Sequence, residues 1–168
     1  LNLFSYIGGA TLAAAAAGAQ VTHVDASKGM VTWAKENAVS SGLGDAPIRW
    51  LVDDCVKFVE REIRRGNTYD AIIMDPPSYG RGPKGEIWKI EDMIHPLIKL
   101  CTKILSKDAL FFLVNSYTTG LAPAVLTYMI STELKPWNGH VDSQEIGLPV
   151  TDSGLVLPCG ASGRWERD

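Results

Sequence analysis

Short apolar runs recur along the chain, and each is followed by a segment of mixed apolar and polar residues. Five runs read as strands: residues 1–4, 21–24, 48–52, 71–74 and 109–114. Runs with so few polar side chains are typical of strands that are covered on both faces of a sheet. The pattern therefore predicts five buried strands.

Apolar residues at helical spacing fill the stretches between these strands. Helices are predicted over residues 11–17, 27–41, 56–63, 93–104 and 121–130. The second of these helices places Met30, Trp33, Ala34 and Ala38 on one face. Because strands alternate with helices, we expect a parallel sheet with helices on both of its faces.

Two further strand-like runs, residues 144–150 and 155–158, lie near the C-terminus. The turn signal Thr151-Asp152-Ser153-Gly154 separates them, so they predict a hairpin that adds antiparallel strands at one edge of the sheet. Residues 80–89 are rich in glycine and in basic residues. This composition predicts an irregular loop.

Length and composition narrow the class of protein. The chain has 168 residues, of which 46% are hydrophobic and 21% are charged, and these values suit one globular domain. The net charge of -3 argues against a surface that binds nucleic acid over its whole area, while a local basic patch is compatible with it. No apolar run reaches membrane-spanning length.

The cysteines give no sign of a metal site or of a disulfide framework. Cys55, Cys101 and Cys159 stand far apart, without the paired spacing that either would need. We therefore expect a reduced, cytoplasmic setting and no metal. The chain opens directly on a strand at Leu1, without an initiator methionine. We expect residues 1–168 to form a single domain that is the C-terminal part of a longer protein.

An unusual motif follows the fourth strand. The apolar run 71–74 ends in Asp75-Pro76-Pro77-Ser78-Tyr79, here called the 75–79 motif. Two prolines cannot continue a sheet ladder, so the backbone is forced out at the tip of the strand. Ligands of open α/β sheets bind just outside the carboxyl ends of the strands. The motif thus predicts a place where a planar substrate meets a carboxylate, free carbonyls and a ring.

Acidic residues and glycines also follow the first three strands. Gly8 and Gly9 would let the backbone approach a ligand, or would simply let the helix and the strand pack closely. Asp25 lies where an acid can meet ribose hydroxyls, and it could equally cap the next helix. The pair Asp53-Asp54 has the same two interpretations. Together with the 75–79 motif, these residues predict one continuous ligand rim.

Five segments carry a resemblance to a known family in their order and spacing: residues 1–9, 23–27 and 33–37, the pair Asp53-Asp54, and Asp75-Pro76-Pro77. They resemble the class I S-adenosylmethionine-dependent methyltransferases. More narrowly, they resemble the large-subunit ribosomal RNA methyltransferases that include the cytosine-C5 enzymes. The resemblance covers residues 1 to about 119 well and the remainder loosely. It implies a Rossmann-like α/β sandwich with a mostly parallel seven-stranded sheet and a C-terminal antiparallel hairpin.

The resemblance also implies S-adenosylmethionine as the cofactor and assigns its contacts. It gives the methionine part to residues of the first turn: Phe4, Ser5, Tyr6, Gly8 and Gly9. It gives the adenosine part to residues that follow the second and third strands: Asp25, Ala26, Ser27, Asp53, Asp54 and Cys55. In this set Asp25 would bind the ribose hydroxyls, and Asp54 would accept a hydrogen bond from the adenine amino group. Asp75 and the carbonyls of Pro76 and Pro77 would face the transferred methyl group and the substrate.

One departure from the family bears on the chemistry. Cytosine-C5 methylation needs a thiolate, and in the relatives this cysteine follows the fifth strand. Tyr117 occupies approximately that place here, and a phenol is a poor covalent nucleophile toward a pyrimidine ring. Cys101 lies on the apolar face of a predicted helix and reads as a core residue. We therefore expect a reaction other than cytosine-C5 methylation.

The motif also resembles the signature of the amino-group N-methyltransferases, in which an aromatic residue directly follows the two prolines. Ser78 displaces Tyr79 by one position here, which leaves the acceptor atom open. Cations and rings near the motif suit RNA phosphates and unstacked bases. A solvated flexible loop would explain Arg81, Lys84, Trp88 and Lys89 equally well. The candidate substrate-binding residues, in addition to Tyr79, are Arg81, Lys84, Trp88, Lys89 and Tyr117.

These observations lead to a methyltransferase that uses S-adenosylmethionine and acts on a base of RNA, with ribosomal RNA as the first expectation. The candidate catalytic residues are Asp75, Pro76, Pro77 and Tyr79. Two alternatives stay open: an enzyme of the same fold that acts on a protein or a small molecule, and a cofactor-binding module without catalysis. The sequence does not specify an oligomeric state.

Overall fold

The computed structural model describes residues 1–82 and 84–168. Its strands are β1 Asn2–Leu3, β2 Val21–Asp25, β3 Ile48–Val52, β4 Ala71–Met74, β5 Tyr79–Arg81, β6 Ile87–Lys89, β7 Phe111–Ser116, β8 His140–Pro149 and β9 Val156–Glu166. Its helices are α1 Gly9–Ala16, α2 Lys28–Ser40, α3 Cys55–Arg65, α4 Ile90–Thr102 and α5 Pro123–Leu134. Each of the five predicted strands and five predicted helices is present, with shifted ends.

Seven strands form one sheet in the order β3-β2-β1-β4-β7-β9-β8. The first five of these are mutually parallel, β9 runs antiparallel to β7, and β8 runs antiparallel to β9. The predicted α/β fold with a mostly parallel seven-stranded sheet and a C-terminal antiparallel hairpin is therefore confirmed. The carboxyl ends of β1, β2 and β4 meet at one edge, where the candidate residues were expected.

The core lies on the face of the sheet that α3, α4 and α5 cover. Buried side chains alternate along the two central strands, with Ile72 and Met74 on β4 and Phe112 and Val114 on β7. Residues between them, such as Ile73, are half-buried. The five-strand prediction thus overstated the burial of the second face of the sheet.

The C-terminal hairpin is longer than predicted. β8 has 10 residues and β9 has 11, because polar and small residues continue the pairing beyond the apolar runs. Gly163 shows why a residue without a side chain occurs there: a Cβ atom at this position would lie 2.9 Å from the Leu126 Cβ and 2.8 Å from the Ile130 Cδ1. Helix α5 packs directly on the strand at this glycine. The apolar pattern alone carried no signal for this part of β9.

Two other predictions are wrong in detail. The segment predicted as an irregular loop, residues 80–89, contains a small antiparallel sheet of β5 and β6 in which Gly80 pairs with Trp88; residue 83 lies outside the described residues. On α2 the buried residues are Val31, Ala34 and Ala38, whereas Trp33 is 47% exposed. The buried face of α2 consists of small side chains, which allow the turn after β1 to approach closely.

Among the residues that the structure describes, no helix is long and apolar enough to cross a membrane.

Candidate functional site

A cavity of about 420 Å³ opens at the carboxyl ends of β1, β2 and β4, a volume within the usual range for small-ligand sites. We call it the first cavity. The residues that line it come from these strand ends, from the start of α3, from the β5–β6 hairpin and from the end of β7: Phe4, Tyr6, Asp25, Ala26, Ser27, Asp54, Cys55, Val56, Asp75, Pro76, Pro77, Ser78, Gly80, Arg81, Gly82, Trp88 and Tyr117. The structure thus brings candidate residues from separate segments into one site.

The turn between β1 and α1 has an uncommon backbone. Phe4 and Tyr6 both adopt left-handed conformations, with φ of 54° and 49°. Bulky residues rarely adopt such angles, and backbone strain of this kind clusters at ligand sites. Ser5 stabilises the turn from inside, because its buried Oγ donates to the Asn2 carbonyl oxygen at 2.7 Å. Phe4 and Tyr6 line the first cavity, whereas Ser5 supports them from behind.

The two glycines of this turn have different surroundings. Gly8 has a φ of 90°, and a Cβ atom there would lie 3.1 Å from the Ala34 Cβ. Gly8 therefore serves the close packing of α2 against the turn. At Gly9, where α1 begins, a Cβ atom would meet no other atom within 4 Å. Space is open at the N-terminus of α1, but neither glycine is among the residues that line the first cavity.

Asp25 ties the β1–α1 turn to the tip of β2. One carboxylate oxygen accepts the backbone N–H of Tyr6 at 2.8 Å, and the other accepts the backbone N–H of Ser27 at 2.8 Å. The N-cap of α2 is Ser27, whose Oγ accepts the Met30 N–H at 3.4 Å. The capping role considered for Asp25 therefore belongs to Ser27. The Asp25 carboxylate also lines the first cavity, beside Ala26.

The pair Asp53-Asp54 divides into two roles. Asp54 is the N-cap of α3, where its side chain accepts the Lys57 backbone N–H at 2.9 Å, and it also lines the first cavity. Asp53 forms an ion pair with Arg61 and is not among the lining residues. Cys55 is fully buried next to them, and burial raises the pKa of its thiol well above the usual range. Both interpretations of Asp54, cap and ligand contact, are compatible with its position.

Asp75 contributes a carboxylate without a partner. Its Oδ1 is buried and accepts no hydrogen bond from the residues that the structure describes. Burial raises the pKa of this carboxyl above its ordinary 3.8. Pro76 next to it is buried, and Pro77 is exposed. Since buried polar atoms are normally satisfied, the unpartnered oxygen points to a missing ligand group or proton donor.

Residues outside the motif hold it in place on two sides. The Trp88 indole N–H donates to the Pro77 carbonyl oxygen at 2.7 Å. On the other side, the hydroxyl oxygens of Ser78 and Thr118 lie 2.7 Å apart. Ser78 and Thr118 were not among the predicted site residues. The only sequence signal for Ser78 was its place within the motif, and no signal pointed to Thr118.

The predicted substrate-binding residues of the β5–β6 hairpin separate into two groups. Arg81 and Trp88 line the first cavity, and Trp88 is only 6% exposed. Tyr79, Lys84 and Lys89 are exposed and lie outside the set that lines it. Tyr79 is 52% exposed, so it is not core filling. Arg81 is also exposed, so the hairpin presents the ring of Tyr79 and three cations to solvent at the cavity.

Tyr117 stands between two cavities. It follows β7, is 53% exposed, and lines both the first cavity and a second one of about 590 Å³. The second cavity is also lined by Thr118, Thr119, Glu145 and Cys159. Burial, and then the negative charges of Asp75 and Cys159 if ionised, raise the pKa of the Tyr117 phenol. The ring therefore remains a neutral, accessible platform close to Asp75.

The first cavity suits the predicted cofactor. Two carboxylates, Asp25 and Asp54, line it, and hydroxyl and amino donors of an adenosine would find acceptors there. Asp75 also lines this cavity, and Phe4 with Trp88 supplies an apolar surface. Within the described residues, no group of three or more His, Cys, Asp or Glu side chains is placed to hold a metal ion.

Comparisons with known proteins agree with this geometry. The S-adenosylmethionine-dependent methyltransferase family matches residues 1–131. A crystal structure of an S-adenosylmethionine-dependent methyltransferase from Agrobacterium tumefaciens superimposes with a TM-score of 0.94 and 44% identity, over 99% of this chain and 55% of that one.

Two curated relatives are ribosomal RNA large subunit methyltransferases. Methyltransferase K/L of Shewanella frigidimarina is 35% identical over 60% of this chain and 15% of its own length. Methyltransferase K of Neisseria meningitidis is 32% identical over 69% of this chain and 33% of its own length. The chain therefore spans at most about a third of these curated relatives.

The family match confirms the resemblance to class I methyltransferases and confirms S-adenosylmethionine as the cofactor. It covers β1 to α5 up to residue 131, which includes every residue that lines the first cavity. The chain belongs to the S-adenosylmethionine-dependent methyltransferase family.

Proposed function

We propose that this chain transfers a methyl group from S-adenosylmethionine to a base of RNA, with ribosomal RNA as the first candidate substrate. The observation that carries the proposal is Asp75, which lines the first cavity, has a buried and unpartnered Oδ1, and lies close to the accessible ring of Tyr117. The two ribosomal RNA methyltransferases among the relatives support the class of substrate. On this proposal, residues 1–168 act as one catalytic domain and work in the cytoplasm.

Asp25 and Asp54 hold the adenosine half of the cofactor in this account. Asp25 accepts the ribose hydroxyls while it fixes the Tyr6 and Ser27 amides, so the acid and the turn have one fixed geometry. Asp54 reaches the adenine while it caps α3. The left-handed turn at Phe4 and Tyr6 carries the backbone past the methionine part. These residues preorganise the site before the acceptor arrives.

The bound cofactor supplies an electrophilic methyl group, so the protein has mainly to align the acceptor and to manage its proton. Asp75 does both in this account. The Asp75 carboxylate accepts a hydrogen bond from the N–H or O–H of the acceptor atom and holds that atom in line. It takes the proton as the new bond forms. The raised pKa of Asp75 suits this task, because it brings the carboxyl closer to the working pH.

The acceptor reaches Asp75 from the side of Tyr117. The exposed ring offers a stacking surface of the kind that holds unstacked bases of RNA. The second cavity adjoins it and supplies neutral hydroxyls and one carboxylate for a neighbouring base. Arg81, Lys84 and Lys89 on the β5–β6 hairpin suit the phosphates of the same strand. A flipped-out or single-stranded base fits this arrangement better than a base within a duplex.

The cysteines disfavour the cytosine-C5 reaction of the related branch. Burial raises the pKa of the Cys55 and Cys101 thiols, so neither is a ready thiolate. Cys159 lines the second cavity, and its thiol lies 3.4 Å from the Ile146 carbonyl oxygen, which it faces as a donor. We therefore propose a direct transfer to a nitrogen or oxygen acceptor, without a covalent enzyme–base adduct.

The class of substrate is tested by incubating the chain with radiolabelled S-adenosylmethionine and with total RNA, total protein or a small-molecule fraction. We expect label in RNA, and most of it in ribosomal RNA. The Asp75→Ala variant is assayed in the same way and should transfer the methyl group much more slowly. Its matched control is Asp45→Ala, which lies in an exposed loop. Label in protein or small molecules alone would support a different substrate class, and cofactor binding without any transfer would support a binding module.

A further inference from the structure

Trp88 differs from the rest of its hairpin. Its neighbours on β6, Ile87 and Lys89, are exposed to solvent, whereas Trp88 is only 6% exposed. The hairpin β5–β6 is only three residue pairs long and, within the part of the chain that the structure describes, pairs with no other strand. A single buried ring is thus the main apolar anchor of this hairpin. The Trp88 ring contacts two different parts of the site, and these contacts orient it.

The first contact is with the cofactor half of the first cavity. The Trp88 ring lies 4.8 Å from the Phe4 ring, centroid to centroid, at an interplanar angle of 56°. Aromatic pairs favour such tilted arrangements. Phe4 itself has a left-handed backbone, with φ of 54°, which needs support from its surroundings. Trp88 supplies a packing partner for this strained residue.

The second contact is with the acceptor half. The Trp88 indole N–H donates to the Pro77 carbonyl oxygen at 2.7 Å. Proline has no N–H of its own, so the segment after Asp75 cannot be held by an ordinary ladder of backbone bonds. Gly80, which pairs with Trp88, lets the chain pass close to this point, because a Cβ there would lie 3.4 Å from the Pro77 Cγ. Trp88 thus fixes the segment two residues from the catalytic candidate.

We propose that Trp88 is a positioning residue that joins the two halves of the methyl-transfer site. Its ring sets Phe4 beside the cofactor, and its N–H sets Pro77, and through it Asp75, beside the acceptor. This replaces the role of a stacking surface for RNA that the sequence suggested for Trp88. The part of the proposal that concerns transfer rests on the proposed function; the part that concerns cofactor and motif does not.

The geometry explains why one residue matters for both halves. In-line transfer requires the cofactor carbon and the acceptor atom to meet within a few tenths of an ångström, and a displacement of about 1 Å can lower a rate about 100-fold. Ser78 and Thr118 hold the motif from the side of the segment after β7. The Trp88 side chain contacts both Phe4 and Pro77.

The test uses Trp88→Phe, which keeps a ring on Phe4 and removes the N–H donor. The matched control is Trp137→Phe, because the Trp137 indole N–H also donates to a backbone carbonyl, that of Ser106 at 3.0 Å, outside both site cavities. Both variants lose one hydrogen bond of the same kind. Turnover with saturating labelled cofactor and RNA, the dissociation constant of S-adenosylhomocysteine and the melting temperature are measured for each.

We expect Trp88→Phe to lower kcat about fivefold or more, the equivalent of one lost hydrogen bond. The dissociation constant of S-adenosylhomocysteine should stay within about twofold, and the fall in melting temperature should match that of Trp137→Phe. Trp137→Phe should keep its kcat. An unchanged kcat in Trp88→Phe would overturn the proposal. An equal fall in kcat in both variants would also overturn it, because the loss would then follow stability alone.

A second readout needs no methyl transfer. The indole N–H signals of the five tryptophans are recorded by NMR, and the Trp88 signal is identified by its loss in Trp88→Phe. We expect this signal to exchange slowly with solvent and to shift on addition of S-adenosylhomocysteine, while the Trp137 signal stays in place. A Trp88 signal that exchanges as fast as that of exposed Trp33, or that ignores the ligand, would refute the link. If the wild-type chain transfers no methyl group, the proposed function fails and this readout decides the inference alone.

Discussion

The backbone N–H of Tyr6 donates a hydrogen bond to the Asp25 carboxylate at 2.8 Å. This bond joins the left-handed turn after β1 to the tip of β2, so the two walls of the proposed adenosine site form one unit. The other carboxylate oxygen is held by the Ser27 amide. Asp25 is thereby oriented without any contribution from a ligand.

Replacement of Asp25 by alanine should weaken cofactor binding. The variant loses the bonds to Tyr6 and Ser27 and the acceptor for the ribose, so we expect the dissociation constant of S-adenosylhomocysteine to rise about 10- to 100-fold. Isothermal titration calorimetry measures it. Asp53→Ala is the control, since Asp53 pairs with Arg61 outside the lining of the first cavity. Equal effects of both variants would show that the acids act only on the fold.

Replacement of Asp75 by asparagine should stabilise the chain in the absence of ligand. The buried, unpartnered carboxylate destabilises the folded state at neutral pH, as its raised pKa indicates. We expect a gain of about 1 kcal/mol in the free energy of unfolding, or about 2–4 °C in melting temperature. Differential scanning calorimetry at pH 7 detects it.

The pH dependence of this gain has a definite sign. The pKa of Asp75 is higher in the folded chain than its ordinary 3.8, so the carboxylate opposes folding at pH values above both pKa values. The advantage of Asp75→Asn should therefore shrink as the pH falls through the folded pKa toward 3.8. A variant that is less stable than the wild type at pH 7 would mean that Asp75 has a stabilising partner after all.

Glu62 should support the fold from the opposite end of the sheet. Its buried carboxylate accepts hydrogen bonds from Tyr69 at 2.7 Å and from Asn67 and Arg65 at 2.8 Å each. Burial works to raise the pKa of Glu62, but the hydrogen bonds and the nearby Arg49 outweigh it and lower the pKa to about 2. We expect Glu62→Gln to lower the free energy of unfolding by about 2 kcal/mol at pH 7.

Since the folded pKa of Glu62 lies below its ordinary 4.5, this contribution is complete above that pH and is lost as the pH falls toward 2. Guanidinium unfolding at pH 7, 5 and 4 measures the difference between the variant and the wild type. Glu60→Gln, on the exposed face of the same helix, should change stability by less than about 0.5 kcal/mol. A difference that grows as the pH is lowered would contradict this account of Glu62.

Cys159→Ser should leave methyl transfer within about twofold of the wild type, because a reaction without a covalent adduct needs no thiolate. The assay is label transfer to RNA, together with gel analysis of RNA that contains 5-fluorocytosine. A slowly migrating enzyme–RNA complex that disappears in Cys159→Ser would show that this cysteine replaces the nucleophile missing at Tyr117.

The fold, and those site residues that follow directly after strands, were predictable from local sequence patterns. Continuous apolar runs marked β1 to β4 and β7, and the acids and prolines at their ends marked Asp25, Asp54 and Asp75 at the edge where parallel strands meet. The order of these segments then identified the family. The apolar runs and the residues at their ends are neighbours in the sequence, so they could be identified without the structure.

Features that depend on distant contacts were not predictable. The hairpin β5–β6 looked like a flexible loop, because its glycines and cations hide the single anchor at Trp88, whose partners Phe4 and Pro77 lie 84 and 11 positions away. Trp33 matched the helical spacing of a core residue, yet only small side chains fit the narrow gap beside Gly8. Periodicity reports which face is apolar, not how much room the tertiary structure leaves there.

The central claim is that the first cavity binds the cofactor and that Asp75 acts on the acceptor. A paired measurement on the wild type and on Asp75→Ala tests it: the dissociation constant of S-adenosylhomocysteine, and the rate of label transfer from S-adenosylmethionine to RNA. We expect similar dissociation constants for the two proteins and a rate at least about 100-fold lower in Asp75→Ala. Transfer to RNA at the wild-type rate by Asp75→Ala would contradict the account.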